Sequence, residues 1–240
     1  MKYLKFIILL LLAAGCSSDS DSGIKDGTGG SLAIFVLKGD YLYTVDNASL
    51  NVFSLANISH PEKVNEKNIG FNIETLYSNG EYLFIGSQNG MYIYSVADPA
   101  NPVELSSVEH VTSCDPVVAN ETHSFVTLYS NNACGNDNNL LEIYDTSNPT
   151  NPVLVHQQNL ISPKGLGLYH NYLFVCAEEI KIFDVQHPES PVLAGSIDAA
   201  CFDVIIKGDD LYAISDHHLY RYHLDVNNIT APELVSQVSF

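Results

Sequence analysis

The sequence predicts an all-β protein, and within that class a β-propeller of five blades with four antiparallel strands each. Two observations lead to this prediction. A pattern of apolar and turn residues recurs five times along the 240 residues, and each period of about 41 residues has room for four short strands separated by turns. Repetition at this period is typical of propeller blades, in which each sheet covers the next.

The second strand of each repeat is marked by an aromatic residue within an alternating apolar segment, as in GDYLYTV from Gly39 and NGEYLFI from Asn79. Alternation at a period of two predicts a strand. The aromatic residues are spaced 41, 41, 49 and 38 residues apart. They are Tyr43, Phe84, Phe125, Phe174 and Tyr212.

Three other elements complete each predicted blade. A continuous apolar segment precedes the aromatic residue, as in LGLY from Leu166, and indicates a buried first strand. A second alternating segment follows it, as in MYIYSV from Met91 and LYRYHL from Leu219, and indicates a third strand. A proline turn then leads into the fourth strand, because proline fixes φ and removes a hydrogen-bond donor. The prolines are Pro61, Pro102, Pro152, Pro191 and Pro232.

The two ends of the repeat region suggest how the ring closes. The region begins with an apolar first strand at residues 32–37 and ends with an outer strand, PELVSQVSF from Pro232. We therefore expect a closed ring with out-of-phase N-terminal and C-terminal closure, in which the strand near Ile34 completes the last blade. An open arc and one half of a larger ring are the alternatives.

Residues 1–15 are predicted to be a lipoprotein signal peptide. The segment MKYLKFIILLLL has a basic start and an apolar run that is too short to span a bilayer. The stretch from Leu12 to Cys16 resembles the bacterial lipobox, with Ala13 where leucine is usual. This resemblance implies cleavage before Cys16, acylation of its thiol and attachment to the membrane through lipid, with ordinary secretion as the alternative.

Residues 16–30 are predicted to be the acylated cysteine and a flexible tether, because Ser, Asp and Gly dominate them and leave little to bury. The Ser/Asp cluster resembles the surface-export signal of Bacteroidota lipoproteins. It implies a surface-exposed lipoprotein of the outer membrane. A plain linker and a body that faces the periplasm are the alternatives.

Residues 31–240 resemble the LVIVD-repeat proteins, predicted propeller lipoproteins of Bacteroidota. The resemblance is carried by SCDPVVANETHSFVTLYS from Ser113, KGLGLYHNYLFVC from Lys164 and DVIIKGDDLYAISDHHLYRY from Asp203. It implies the propeller fold. The family has no established activity to transfer to this chain.

The net charge and the absence of common catalytic motifs limit the classes of function that fit this sequence. The formal net charge of −18 repels phosphate backbones, which excludes nucleic acid as a partner. The sequence has no G-x-S-x-G, H-E-x-x-H, P-loop or C-x-x-C motif, so no catalytic residues are assigned. We expect a non-catalytic binding or assembly module for an envelope protein or an extracellular ligand. A glycan-active hydrolase, using carboxylates such as Asp203, and a purely structural envelope protein are the alternatives.

The third repeat carries the predicted binding element. Phe125 lies 19 positions before Tyr144, whereas the corresponding aromatics of the other repeats are nine or ten positions apart. The excess falls in the loop YSNNACGNDNNL. This loop emerges on the face that also carries the connections between blades. A lengthened loop indicates a binding element, although a tolerated insertion is the alternative. The expected polar contacts are Asp115, Asn131, Asn132, Asn136 and Asp137.

Cysteine and histidine positions give further expectations. Cys114 and Cys134 lie at the same end of adjacent predicted strands, which predicts a disulfide. Cys176 and Cys201 are left either paired or free. Adjacent histidines on a strand point in opposite directions, so no metal site is expected from them. The asparagine-rich loop offers oxygen ligands but lacks the EF-hand spacing, so no cofactor is expected and calcium stays an alternative.

The lipobox generates the first testable prediction. Cys16→Ala should move the protein from the membrane fraction to the soluble fraction, because each buried acyl methylene contributes about 0.8 kcal/mol to anchoring. Fractionation and immunoblotting measure this. Protease added to intact cells should digest the wild-type body, and digestion only after lysis would show that the body faces the periplasm.

Overall fold

The structure, a computed structural model, describes residues 29–109, 116–129 and 139–240. In these ranges twenty strands form five antiparallel sheets of four strands each, which confirms the predicted five-bladed propeller. A short 3-10 helix at Val226–Asn228 precedes the last strand. Within the same ranges, no helix has the length and apolar character needed to cross a membrane.

The strands follow one another in chain order within each blade. Blade 1 contains β1 (Phe35–Lys38), β2 (Tyr41–Val45), β3 (Ser49–Ser54) and β4 (Glu62–Asn68). Blade 2 contains β5 (Ile73–Asn79), β6 (Tyr82–Ser87), β7 (Gly90–Ser95) and β8 (Val103–Glu109). Blade 3 contains β9 (Val117–Ala119), β10 (His123–Leu128), β11 (Leu140–Asp145) and β12 (Val153–Asn159). Blade 4 contains β13 (Leu166–Tyr169), β14 (Tyr172–Cys176), β15 (Ile180–Asp184) and β16 (Val192–Ile197). Blade 5 contains β17 (Asp203–Lys207), β18 (Asp210–Ile214), β19 (His218–His223) and β20 (Glu233–Ser239).

Tight turns join the first and second strands. In four blades the turn has two residues, and the first of them takes a positive φ, which matches the twist of a β-hairpin. Those residues are Gly39, Gly80, His170 and Gly208. In blade 3 the side chain of Asn120 closes the turn instead, because its Oδ1 accepts a hydrogen bond from the backbone N of His123 at 2.8 Å.

Each predicted proline stands immediately before the fourth strand of its blade, as the sequence indicated. The fourth strand then pairs with the third through a one-residue shift of register in all five blades. In blade 2 this shift lies between Ile93 and Tyr94. A β-bulge of this kind increases the local twist, so every blade has the same irregularity at the same place.

The expected out-of-phase closure is wrong. β1 pairs with β2 as the first strand of blade 1, and β20 pairs with β19 as the last strand of blade 5. The chain supplies a complete first strand at one end and a complete fourth strand at the other. No blade therefore lacks a strand that the opposite terminus could provide.

The hydrophobic core consists of four clusters, each formed mainly by two successive blades. The clusters join blades 1 and 2, 2 and 3, 3 and 4, and 4 and 5. The aromatic residues Tyr43, Phe125 and Phe174 of the second strands are fully buried in them. In the described part of the chain, no such cluster joins blade 5 to blade 1.

A disulfide joins Cys176 to Cys201, with 5.2 Å between their Cα atoms. Cys176 ends β14 in blade 4, and Cys201 lies two residues before β17 in blade 5. The sequence left this pair open, and the structure settles it as a bridge between neighbouring blades. Cys114 and Cys134, the pair predicted from the sequence, lie outside the described residues and stay a prediction.

Removing the observed bridge should weaken the union of blades 4 and 5. The double variant Cys176→Ala, Cys201→Ala should lose about 3.5 kcal/mol of unfolding free energy. The reason is that the bridge closes a loop across 25 residues, and without it the unfolded chain gains conformational entropy. Urea unfolding measures the loss. An unchanged urea midpoint, with both thiols alkylated in unreduced wild-type protein, would contradict the bridge.

Candidate functional site

The loops at one end of the propeller form the loop face. It comprises the connections from second to third strands and those from one blade to the next, which the antiparallel order places at the same end. Four of the second-to-third loops have two or three residues. In blade 3, eleven residues separate β10 from β11. The length of this connection agrees with the long loop inferred from the sequence.

All the predicted contact residues lie outside the described part of the chain, as does the predicted lipidation site Cys16. They are Asp115, Asn131, Asn132, Asn136 and Asp137. Their roles stay predictions. What the structure provides is the surface around them.

The short loops of the loop face are fixed by their own side chains. Asp46 accepts hydrogen bonds from the backbone N atoms of Ala48 and Ser49, at 3.0 and 2.9 Å, and from Asn51 Nδ2 at 3.0 Å. The bond from Ala48, followed by that from Asn51, lowers the pKa of this carboxyl. In blade 5, Ser215 Oγ similarly accepts from the backbone N of His218 at 3.0 Å. These loops are preorganised before any ligand arrives.

The base of the long loop rests against the start of blade 4. Tyr129 follows β10, and Lys164 Nζ lies 5.8 Å from the centre of its ring, within cation–π range. Thr127 Oγ1 donates a hydrogen bond to the carbonyl of Lys164. On the other side of the loop, the carbonyl of Asn139 accepts from the backbone N of Leu160 at 2.9 Å. Both ends of the loop are therefore held by neighbouring structure.

The histidines and acids of the loop face do not assemble a metal centre in the described ranges, where no three His, Cys, Asp or Glu side chains lie close enough to share an ion. Glu179 pairs with Lys181 at 2.8 Å. The ring of His218 stacks on Tyr220 with 5.6 Å between centroids. The loop considered for calcium lies outside the described residues.

A second surface lies where blade 1 meets blade 5, a boundary we call the seam. Phe35 of β1 is 58% exposed, although the residues at the same register position in the other four blades are 1% exposed or less. Those residues are Leu76, Val117, Leu166 and Val204. The face of blade 1 that should cover a preceding blade is thus largely in contact with solvent.

Blade 5 has a matching exposed face. Leu219 of β19 is 39% exposed, whereas its counterparts in blades 1–4 are at most 1% exposed. The third-strand residue that pairs with the second-strand aromatic residue is aliphatic in blades 1–4. In blade 5 this residue is Arg221. Arg221 forms an ion pair with Asp210 at 2.9 Å. A charged pair at the centre of this face is compatible with water and not with a fifth hydrophobic core.

The seam contains a cavity of about 300 Å³, which we call the seam cleft. One wall is formed by β1 and the segment before it, and the other by β17. Its lining is mostly apolar and includes one carboxyl group. The lining residues are Gly29, Gly30, Leu32, Ala33, Phe35, Val36, Leu37, Asp203 and Ile205.

A latch of hydrogen bonds crosses the seam beside this cleft. Ser31 Oγ donates to Asp203 Oδ1 of blade 5 at 3.0 Å and accepts from the backbone N of Leu166 of blade 4 at 2.8 Å. Gly165 lies against the same carboxyl so closely that a Cβ there would stand 2.2 Å from Asp203 Oδ1. Sequence reasoning offered Asp203 as a hydrolytic carboxylate, and the structure instead engages it in this latch.

Burial raises the pKa of Asp203 to about 6, although hydrogen bonds from Ser31, Val204 and Leu32 act in the opposite direction. The latch therefore holds a carboxyl that is partly protonated in mildly acidic solution. The sequence indicated the seam at one position, in LYRYHL, where Arg221 stands in place of the aliphatic residue of the other repeats. It carried no sign of the partners of Asp203, because Ser31 lies 172 residues away.

The chain matches a family model described as the LVIVD repeat over residues 76–110, 125–159 and 164–199. These stretches correspond to blades 2, 3 and 4, so the blades that border the seam lie outside them. The LVIVD repeats inferred from the sequence are confirmed for these three blades. No curated protein matches the chain.

Solved structures share the fold at low identity. A protein of Lactobacillus plantarum is 12% identical, with a TM-score of 0.66 over 82% of this chain and 67% of its own. A functionally unknown protein of Desulfotomaculum acetoxidans is 10% identical, with a TM-score of 0.67 over 91% and 70%. The periplasmic gluconolactonase of Pseudomonas aeruginosa is 12% identical, with a TM-score of 0.62 over 83% and 67%. At these identities the likeness extends to the fold alone, and about a third of each of those chains has no counterpart here.

The raised pKa of Asp203 predicts a pH dependence of stability. Because the folded chain holds this proton more tightly than the unfolded chain, where the aspartate pKa is about 3.9, protonation stabilises the fold. The contribution is full below the unfolded pKa and is lost as the pH rises through about 6. Between pH 5 and pH 7.5 the wild type should therefore lose about 1.4 kcal/mol relative to Asp203→Asn.

Urea unfolding of both proteins at the two pH values measures this difference. Because both proteins share all the other titrating groups, the difference between their pH profiles reports on Asp203 alone. Parallel pH profiles would show that Asp203 does not titrate in this range.

Proposed function

We propose that this LVIVD-repeat β-propeller is a non-catalytic binding module, attached to the outer membrane through lipid on Cys16 and exposed at the cell surface. Its binding surface is the loop face centred on blade 3. The partner is an envelope protein or an extracellular ligand.

One observation carries the proposal, the eleven residues between β10 and β11 where the other blades have two or three. The two strands flanking this loop pair without interruption from His123 with Asp145 to Leu128 with Leu140. The extra length is therefore not needed to join them. A loop longer than its scaffold requires, on a face where ligands approach, supports recognition.

The surroundings of the loop support recognition for a second reason. Short loops of blades 1 and 5 on the same face are fixed by their own hydrogen bonds. The two ends of the long loop are bonded to the connection between blades 3 and 4, at Lys164 and Leu160. A surface that is already ordered loses less conformational entropy when it binds. The latch also engages Asp203, one of the carboxylates that the hydrolase alternative considered.

The net charge of the chain indicates what kind of surface the partner should present. The chain has a formal net charge of −18 with only ten Lys and Arg residues, so the contacting surface of the partner should be neutral or basic. If charge steers the encounter, the rate of association should fall as salt rises.

The test is to replace residues 130–138 with a short Gly-Ser turn in a Cys114→Ser background, so that no lone thiol remains. We expect a melting temperature close to that of the Cys114→Ser, Cys134→Ser protein with the intact loop, because the flanking strands keep their pairing. We also expect loss of the proteins that cross-link to the wild type on intact cells. Quantitative mass spectrometry of the cross-linked proteins measures the loss.

The matched control replaces residues 57–60, a turn at the opposite end of the propeller, with a Gly-Ser turn of equal length. This variant should keep the same cross-linked proteins. If the loop variant also keeps them, or if it unfolds, the blade 3 loop is structural and the proposal fails.

A further inference from the structure

We propose that the seam cleft is a binding site for a small apolar molecule without negative charge. The site is formed by blades 1 and 5 and is separate from the blade 3 loop. It can therefore exist whether or not that loop binds a partner.

The size and lining of the cleft define the class of molecule. Its volume of about 300 Å³ lies at the small end of the range for ligand pockets, enough for one or two hydrocarbon rings. Six of the nine lining residues have apolar side chains, contributed by the segment before β1, by β1 and by β17. Burying such walls against an apolar ligand is favourable by roughly 25 cal/mol for each Å² removed from water.

The cleft is open to solvent. Leu32 and Ile205, on opposite walls, are each 38% exposed, and Phe35 is more exposed than either. The counterparts of Phe35 in blades 2, 3 and 4 are buried. An apolar molecule in the cleft would supply the cover that blade 1 lacks on this side.

Charge excludes anions from the site. The one ionisable residue of the lining is Asp203, and both the backbone N of Val204 and Ser31 Oγ already donate to its Oδ1. An anionic ligand would lie against this carboxyl in a chain of net charge −18, without an arginine or lysine in the lining to balance it. Fatty acids are therefore disfavoured, and neutral ring compounds fit.

The same face argues against a protein sheet as the occupant. A blade-sized partner would cover β18 and β19 as well as β17, and would bury the ion pair between Arg221 and Asp210. Desolvating such a pair costs several kcal/mol per ion before any attraction is counted. A small molecule confined to the cleft leaves the pair in water, because neither residue belongs to the lining.

The experiment uses photolabelling of the full-length protein with 3-phenyl-3-(trifluoromethyl)diazirine, a neutral aromatic probe. Mass spectrometry maps the labelled residues. We expect saturable labelling in residues 29–37 and 203–205. Excess cyclohexylbenzene should abolish it, and the same concentration of 4-cyclohexylbenzoate, which differs by one negative charge, should not.

Two variants separate the cleft from exposed apolar surface in general. Ile205→Trp fills the cleft and should abolish the saturable labelling. Phe71→Ala removes a phenylalanine that is as exposed as Phe35 but lies outside the cleft, and it should leave the labelling unchanged.

Competition on the wild type needs no variant and decides the matter if Ile205→Trp does not fold. Labelling that never saturates, equal labelling around Phe71, or equal competition by the benzoate would overturn the proposal. Because none of these measurements involves the blade 3 loop, their outcome is independent of partner capture on that loop.

Discussion

The structure depends on one constraint, that a sheet with two apolar faces needs a neighbour on each side. Blades 2, 3 and 4 have neighbours on both sides, and the second strands of these blades are buried almost throughout. Blade 1 buries Tyr43 against blade 2 but leaves Leu42 partly exposed, and blade 5 buries Leu211 against blade 4 but leaves Tyr212 partly exposed. The two half-covered faces are those on either side of the seam.

A few polar contacts join the blades at the seam, whereas a hydrophobic core joins the blades at each of the other four boundaries. The segment before β1 bonds to three blades, since Ser31 reaches blades 4 and 5 and the carbonyl of Ala33 accepts from Leu76 of blade 2 at 2.7 Å. Each such bond adds about 1 kcal/mol, less than the burial of one large apolar side chain. The ring should therefore open at this boundary before any other, because local opening follows the weakest packing.

Sequence periodicity was sufficient for the fold because each blade repeats the same local features. These are an aromatic second strand, a tight turn before it and a proline before the fourth strand. Periodicity failed at closure, since the pattern of strands is the same whether a terminal strand joins its own blade or the opposite one. Sequence periodicity also could not decide whether Cys176 pairs with Cys201, because spacing along the chain does not say which strand ends meet across blades. The exposed seam could have been inferred from Arg221 in LYRYHL, where every other repeat has an aliphatic residue.

The latch also fixes the point at which the chain enters the propeller. Ser31 is bound at the starts of β13 and β17, which lie at the loop-face end of the propeller near its axis. From Cys16 to Gly29 the chain has thirteen residue-to-residue steps, which span at most about 45 Å when fully extended. If Cys16 carries lipid, the chain enters the propeller at the same end that carries the long loop. This entry point would then stay within about 45 Å of the lipid, so a partner of the loop face would have to reach a surface close to the membrane or project from the membrane itself.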